Sequence, residues 1–81
     1  ELEALWNPHN EEERQPLTLR EIEVATLLAK GLINKEVAER LNISMTTVIT
    51  HRKNIMTKLE AHSLSDIIIY VVMNGYLDLG E

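Results

Sequence analysis

Eighty-one residues with a formal net charge of −5 make one small domain, able to bury a modest core and little more. The absence of cysteine excludes a disulfide framework and a thiolate zinc site. No stretch has the make-up of a signal peptide, and the longest apolar runs are too short to span a bilayer, so the expected setting is cytoplasmic with no membrane contact. The chain begins at Glu1 rather than Met, and we expect it to be part of something longer.

An acidic total counts at first against nucleic acid, since DNA-binding domains are usually basic. The distribution answers much of that objection. Residues 1–16 hold five acids (Glu1, Glu3, Glu11, Glu12, Glu13) against Arg14 alone. Residues 40–59 hold Arg40, Arg52, Lys53 and Lys58 and no acid. Screening limits attraction to roughly 8–10 Å, so a local basic stripe matters more to a phosphate than the whole-chain sum.

Residues 1–16 read as an acidic linker or the tail of a preceding domain, and residues 17–81 as the folded domain. Asn7-Pro8 and the Glu11–Glu13 run favour extended chain, while Leu2, Leu5 and Trp6 are suited to packing on a neighbour. Thr18-Leu19-Arg20-Glu21 is a capping box. Ile22, Ala25, Leu28 and Ala29 follow at helical spacing and Gly31 supplies a left-handed stop, giving a helix at about 19–30.

Asn34 is placed to cap a second helix, 35–41, with Val37, Ala38 and Leu41 inward. Lys35 in its first turn opposes the helix dipole, which a bound phosphate would offset; a solvated lysine explains the residue equally well. Asn42 tolerates the left-handed conformation, Ile43 points inward and Ser44 caps a third helix, 45–59. Two helices joined by so short a turn form a helix-turn-helix, whose second helix enters the major groove.

On that third helix Val48, Arg52, Ile55 and Leu59 share one face, with Arg52 laying its aliphatic stem along the core edge. Thr46, Thr50, Lys53 and Thr57 lie opposite, with Ile49 and Asn54 at the margins. An ordinary solvated face mixes Glu with Lys. This one carries hydroxyls, an amide and a cation, and so is suited to a negative neighbour.

Ser63-Leu64-Ser65-Asp66 reads as another capping box and Asn74-Gly75 as a stop, framing a helix at 64–74. Its interior, residues 67–73, is apolar throughout; both caps and the lack of a partner strand favour helix over buried strand. Leu64, Ile68, Val71 and Val72 are expected inward. Ile69, Tyr70 and Met73 are expected outward, as the contact surface of a homodimer or of a further domain.

The matching positions are Leu17-Thr18-x-Arg20-Glu21, Gly31-x-x-Asn34-Lys35-Glu36-Val37-Ala38 and Leu41-x-Ile43-Ser44-x-x-Thr47-Val48-x-x-His51-x-x-Asn54-Ile55-x-x-Lys58-Leu59. With them the chain resembles, over about residues 17–77, the LuxR-type (NarL/FixJ, GerE-like) C-terminal helix-turn-helix domain of bacterial transcription regulators. The resemblance implies an all-α, compact four-helix bundle, with helix 3 in the major groove and helix 4 pairing protomers. It further implies Lys35, Thr47, His51 and Lys58 at phosphates, and Ile49, Thr50 and Lys53 at base edges. An upstream receiver or ligand-binding domain would complete the full-length chain. Two departures stand out: Ile49 occupies a place where many relatives put a Lys or Arg, and Glu60-Ala61 replaces a common Gly.

The residues support those roles on their own chemistry. Lys53 can donate to guanine O6 and N7, and Ile49 with the Thr50 methyl suits thymine methyl groups. Thr46, Thr47 and the first N–H groups of the helix suit a phosphate, which fixes register without reading sequence. For His51 two readings stay open, a phosphate contact and a half-buried, hydrogen-bonded ring that positions the helix. His9, His51 and His62 lack metal-ligand spacing, so no metal or cofactor is expected. Nothing supports an enzyme: Ser63 and Ser65 near Asp66 read as caps, and no Gly-rich loop or nucleophile elbow occurs. The leading function is sequence-specific double-stranded DNA binding; the competing one is a helix-turn-helix-fold interaction module for polymerase or another regulator.

Overall fold

Each of the four helices opens beside a side chain that accepts a backbone N–H. The computed structural model describes residues 17–77, so the linker expected at 1–16 lies outside the described residues. In α1 (Leu19–Ala29) the capping box is complete: Glu21 N–H donates to Thr18 Oγ1 at 3.1 Å and Thr18 N–H to Glu21 Oε1 at 2.9 Å. In α2 (Asn34–Leu41) the cap residue is Ile33, not Asn34. Glu36 Oε1 accepts from Ile33 N–H at 2.9 Å, which frees the Asn34 side chain for a longer reach. Ser44 caps α3 (Met45–Leu59) as expected, accepting from Thr47 N–H at 3.0 Å. The capping box expected for α4 (Leu64–Met73) does not form. Ser63 makes no side-chain cap bond, and Asp66 Oδ2 accepts instead from His62 N–H at 2.8 Å.

All four helices stop in the same way. Gly31 (φ 98°), Asn42 (φ 59°), Glu60 (φ 53°) and Gly75 (φ 74°) are left-handed. In each case that residue and the next fold their N–H groups back onto the last turn, as in Leu32 to Leu27 O at 3.2 Å and Tyr76 to Val71 O at 3.0 Å. Ile43 to Ala38 O at 3.0 Å and Ala61 to Met56 O at 2.9 Å complete the set. This is the Schellman arrangement. Glu60 therefore keeps the backbone a glycine would give, at a steric cost of roughly 1–2 kcal/mol for a side chain there.

Among the described residues there is no strand. The core is one cluster from all four helices: Val24, Ala25, Leu27 and Leu28 of α1, Val37 and Ala38 of α2, Val48 and Ile55 of α3, and Ile67 and Val71 of α4, with Leu17 beneath α1. The described residues thus form an all-α four-helix bundle containing a helix-turn-helix. In α4 the phase differs from expectation: Ile67 is fully buried, whereas Ile68 and Val72 are half-buried. An apolar run on every side gives the hydrophobic pattern no direction, so the phase is set by packing on α1. α1 carries the bundle, touching α2, α3 and α4, while α2 and α4 do not touch. No helix among the described residues is long and apolar enough to cross a membrane.

Candidate nucleic-acid interface

Two fully buried side chains, Val48 and Ile55, hold α3 against the bundle. That leaves nearly the whole opposite side free. Thr46, Ile49, Thr50, Lys53, Asn54 and Thr57 are all exposed, as the helical spacing requires. Ile49, a large aliphatic, keeps 49 % of its surface. Thr57 turns its hydroxyl back to Lys53 O at 3.0 Å, a local bond that leaves its methyl outward. Among the described residues the ion pairs are Arg20–Glu23 and Lys58–Glu21, so no carboxylate neutralises Lys53.

The residues expected at phosphates divide into two groups. Lys35 and Thr46 are exposed, in the first turns of α2 and α3. Thr47 and His51 are half-buried. The Thr47 hydroxyl is 2.9 Å from Ser44 Oγ, so it is pre-oriented by the cap. None of the side-chain hydrogen bonds among the described residues involves His51, which leaves the hydrogen-bonded-ring reading without a partner.

Lys58 has a different first role. Its Nζ donates to Glu21 Oε1 at 2.8 Å, with Glu21 itself only 4 % exposed. Burial alone would raise the Glu21 pKa; the bonds from the Lys58 ammonium and from Thr18 outweigh it, and the net shift is downward. The carboxylate that opens α1 therefore also anchors the end of α3. A stretch free of acids along the chain is not free of them in space.

Sequence reasoning did not find the partner of Arg52. Its stem lies half-buried as expected, and Arg52 Nη1 donates to Asn34 Oδ1 at 3.2 Å, joining α3 to the start of α2. The residues lie 18 apart, and no local signal links them.

On α4, Ile69 and Met73 project to solvent, 58 % and 78 % exposed. Tyr70, expected outward with them, is half-buried: it packs on the core, with its ring centroid 6.1 Å from that of Tyr76. Burial, and next the neighbouring Tyr76, push its hydroxyl pKa up.

Residues 15–71 match the family described as bacterial regulatory proteins, luxR family. The chain belongs to this family. A LuxR-family domain of this kind is 48 % identical over 54 residues to the tetrathionate response regulatory protein TtrR of Salmonella typhimurium, covering 67 % of this chain and 26 % of that protein. The oxygen regulatory protein NreC of Staphylococcus haemolyticus is 42 % identical over 62 residues, 76 % of this chain and 29 % of its own. The transcriptional regulatory protein YxjL of Bacillus subtilis, itself uncharacterized, is 39 % identical over 72 residues, 89 % of this chain and 33 % of its own. The chain thus spans between a quarter and a third of these relatives.

Proposed function

We propose that this LuxR-family domain binds double-stranded DNA sequence-specifically, as the output domain of a bacterial transcription regulator. The observation that carries the reading is the outer side of α3, where Thr50 and Lys53 stand exposed and unpaired with any carboxylate among the described residues. Laid in the major groove, α3 presents Lys53 to guanine, and Ile49 with Thr50 to thymine methyl groups. Lys35, Thr46, Thr47 and His51 meet the flanking phosphates, and Lys58 reaches one only with the donors its bond to Glu21 leaves free.

Ile69 and Met73 of α4 are read as the contact of a homodimer placed on two half-sites. A dimer offsets the weak field of a chain with net charge −5, because each module raises the effective concentration of the other. Residues 1–16 are read as a linker to an upstream receiver or ligand-binding domain, in a cytoplasmic protein. The relative named a tetrathionate response regulatory protein supports the receiver.

The test is a titration of the 81-residue chain with random duplex at low and moderate salt, followed by selection from a randomised pool. Steep salt dependence and recovery of a preferred duplex are expected. Salt-indifferent, feeble binding would favour the interaction-module reading, in which the exposed α4 residues serve a protein partner.

A further inference from the structure

Among the described residues, two side-chain hydrogen bonds join different helices, and both end on the recognition helix α3. Lys58 holds its last turn to α1; Arg52 holds its middle to α2. We propose that the Asn34–Arg52 bond is a positioning device that sets the rotation of α3 about its own axis, and hence where Ile49, Thr50 and Lys53 meet the bases. The proposal rests on the DNA-binding reading above and names the residues that determine its specificity.

The contacts that fix α3 gather toward its C-terminal end, where Met56 and Leu59 pack on the core and Lys58 bonds Glu21; Ile49, Thr50 and Lys53 lie ahead of them. The fully buried contacts of α3 are Val48 and Ile55, which lie two turns apart on nearly one line along the helix. Apolar contact is non-directional, and ahead of Ile55 Val48 is the fully buried side chain of α3, so this half of the helix resists lifting better than it resists rolling. Arg52 lies between them, one turn on from Val48, where a third aliphatic would have extended the row. A guanidinium there gives up continuity of the core edge and gains a bond whose angle matters. The other partner fits the same purpose. Asn34 stands in the first turn of α2, after the cap residue Ile33, and its amide oxygen accepts from Arg52.

The leverage is large because Arg52 adjoins Lys53 and lies one turn from Ile49. With side chains reaching ~5–6 Å from the helix axis, a roll of about 10° moves their tips by roughly 1 Å. That is enough to spoil a bidentate bond to a base edge while leaving phosphate contacts, which tolerate water bridges, nearly intact.

The experiment uses the 81-residue chain, a duplex selected by the wild type from a randomised pool, and a scrambled duplex. Asn34→Ala removes the bond and keeps every charge; Arg52→Met removes it from the other side and keeps the stem. Each is expected to lower the ratio of selected to scrambled affinity by roughly five- to tenfold, the smaller end of the loss of one base contact. The double variant should be no worse than the worse single one, and Asn34→Ala should leave the salt slope and melting temperature near wild type. Parallel weakening on both duplexes with a shallower salt slope for Arg52→Met would make Arg52 a phosphate contact and overturn the proposal. Unchanged ratios, or losses that track melting temperature, would overturn it as well. A wild type that recovers no preferred duplex would instead overturn the DNA-binding reading, and this proposal with it.

Discussion

α3 and α4 enter the core by the same small means and face outward with opposite chemistry. Each has two fully buried side chains, Val48 and Ile55 in one, Ile67 and Val71 in the other. The outer side of α3 is threonine, lysine and asparagine around a single Ile49; that of α4 carries Ile69 and Met73. Packing thus fixes few positions per helix, and the remainder is open to function. The polar ties differ too: α3 is bound to two neighbours by side-chain hydrogen bonds, while α4 leans chiefly on α1 through apolar contact. On the proposed reading, the directional bonds belong to the helix that has to hold an angle.

The comparison breaks most readily at Glu21, which holds α3 from below. Glu21→Ala leaves the Lys58 ammonium, 20 % exposed, without a partner and removes half the capping box of α1. A loss of about 3 kcal/mol is expected, in denaturant unfolding. The same pair gives a pH dependence. Glu21 has a lowered pKa when folded, so its contribution is fully present above the usual glutamate value and is lost as pH falls through the folded one. Acid should therefore destabilise the wild type more steeply below about pH 4.5 than it does Glu21→Gln, and parallel acid curves would deny the pair that role. Lys58→Ala should likewise act on stability before it acts on salt slope.

The outward side of α3 is tested next. Lys53→Ala should cost ~1–3 kcal/mol on the selected duplex and much less on a scrambled one. Lys35→Ala should weaken both alike and lower the salt slope by roughly one. Equal losses for Lys53→Ala on the two duplexes would remove it from base reading.

The turn between the two helices offers a smaller effect of opposite sign. Glu60 is left-handed at φ 53°, so Glu60→Gly should stabilise by about 1 kcal/mol in thermal unfolding, with DNA binding unchanged. Smallest for the fold is α4: Met73→Glu should alter monomer stability by no more than ~0.5 kcal/mol. Sedimentation should nonetheless show any dimer gone.

Much of this was legible because its causes are local. Thr18 with Glu21, Ser44 before α3, and Gly31, Asn42 and Gly75 at helix ends act within a turn of themselves, so sequence spacing suffices to place them. The exposed side of α3, free of carboxylates, was legible from its helical spacing and its lack of acids. What the spacing could not supply were bonds across the fold. Lys58 finds Glu21 at a separation of 37 residues and Arg52 finds Asn34 at 18. Asn34, expected as a cap, lies one residue inside the helix that Ile33 opens, and its side chain bonds Arg52. In α4 a run of aliphatics held no phase to read, and Ile67 rather than Ile68 turned inward.

The separation of α2 from α4 bears on how such a domain is loaded. With no shared border, a molecule seated over Ile69 and Met73 need not displace anything held at the start of α2. Occupancy of the two ends is then free to occur in either order.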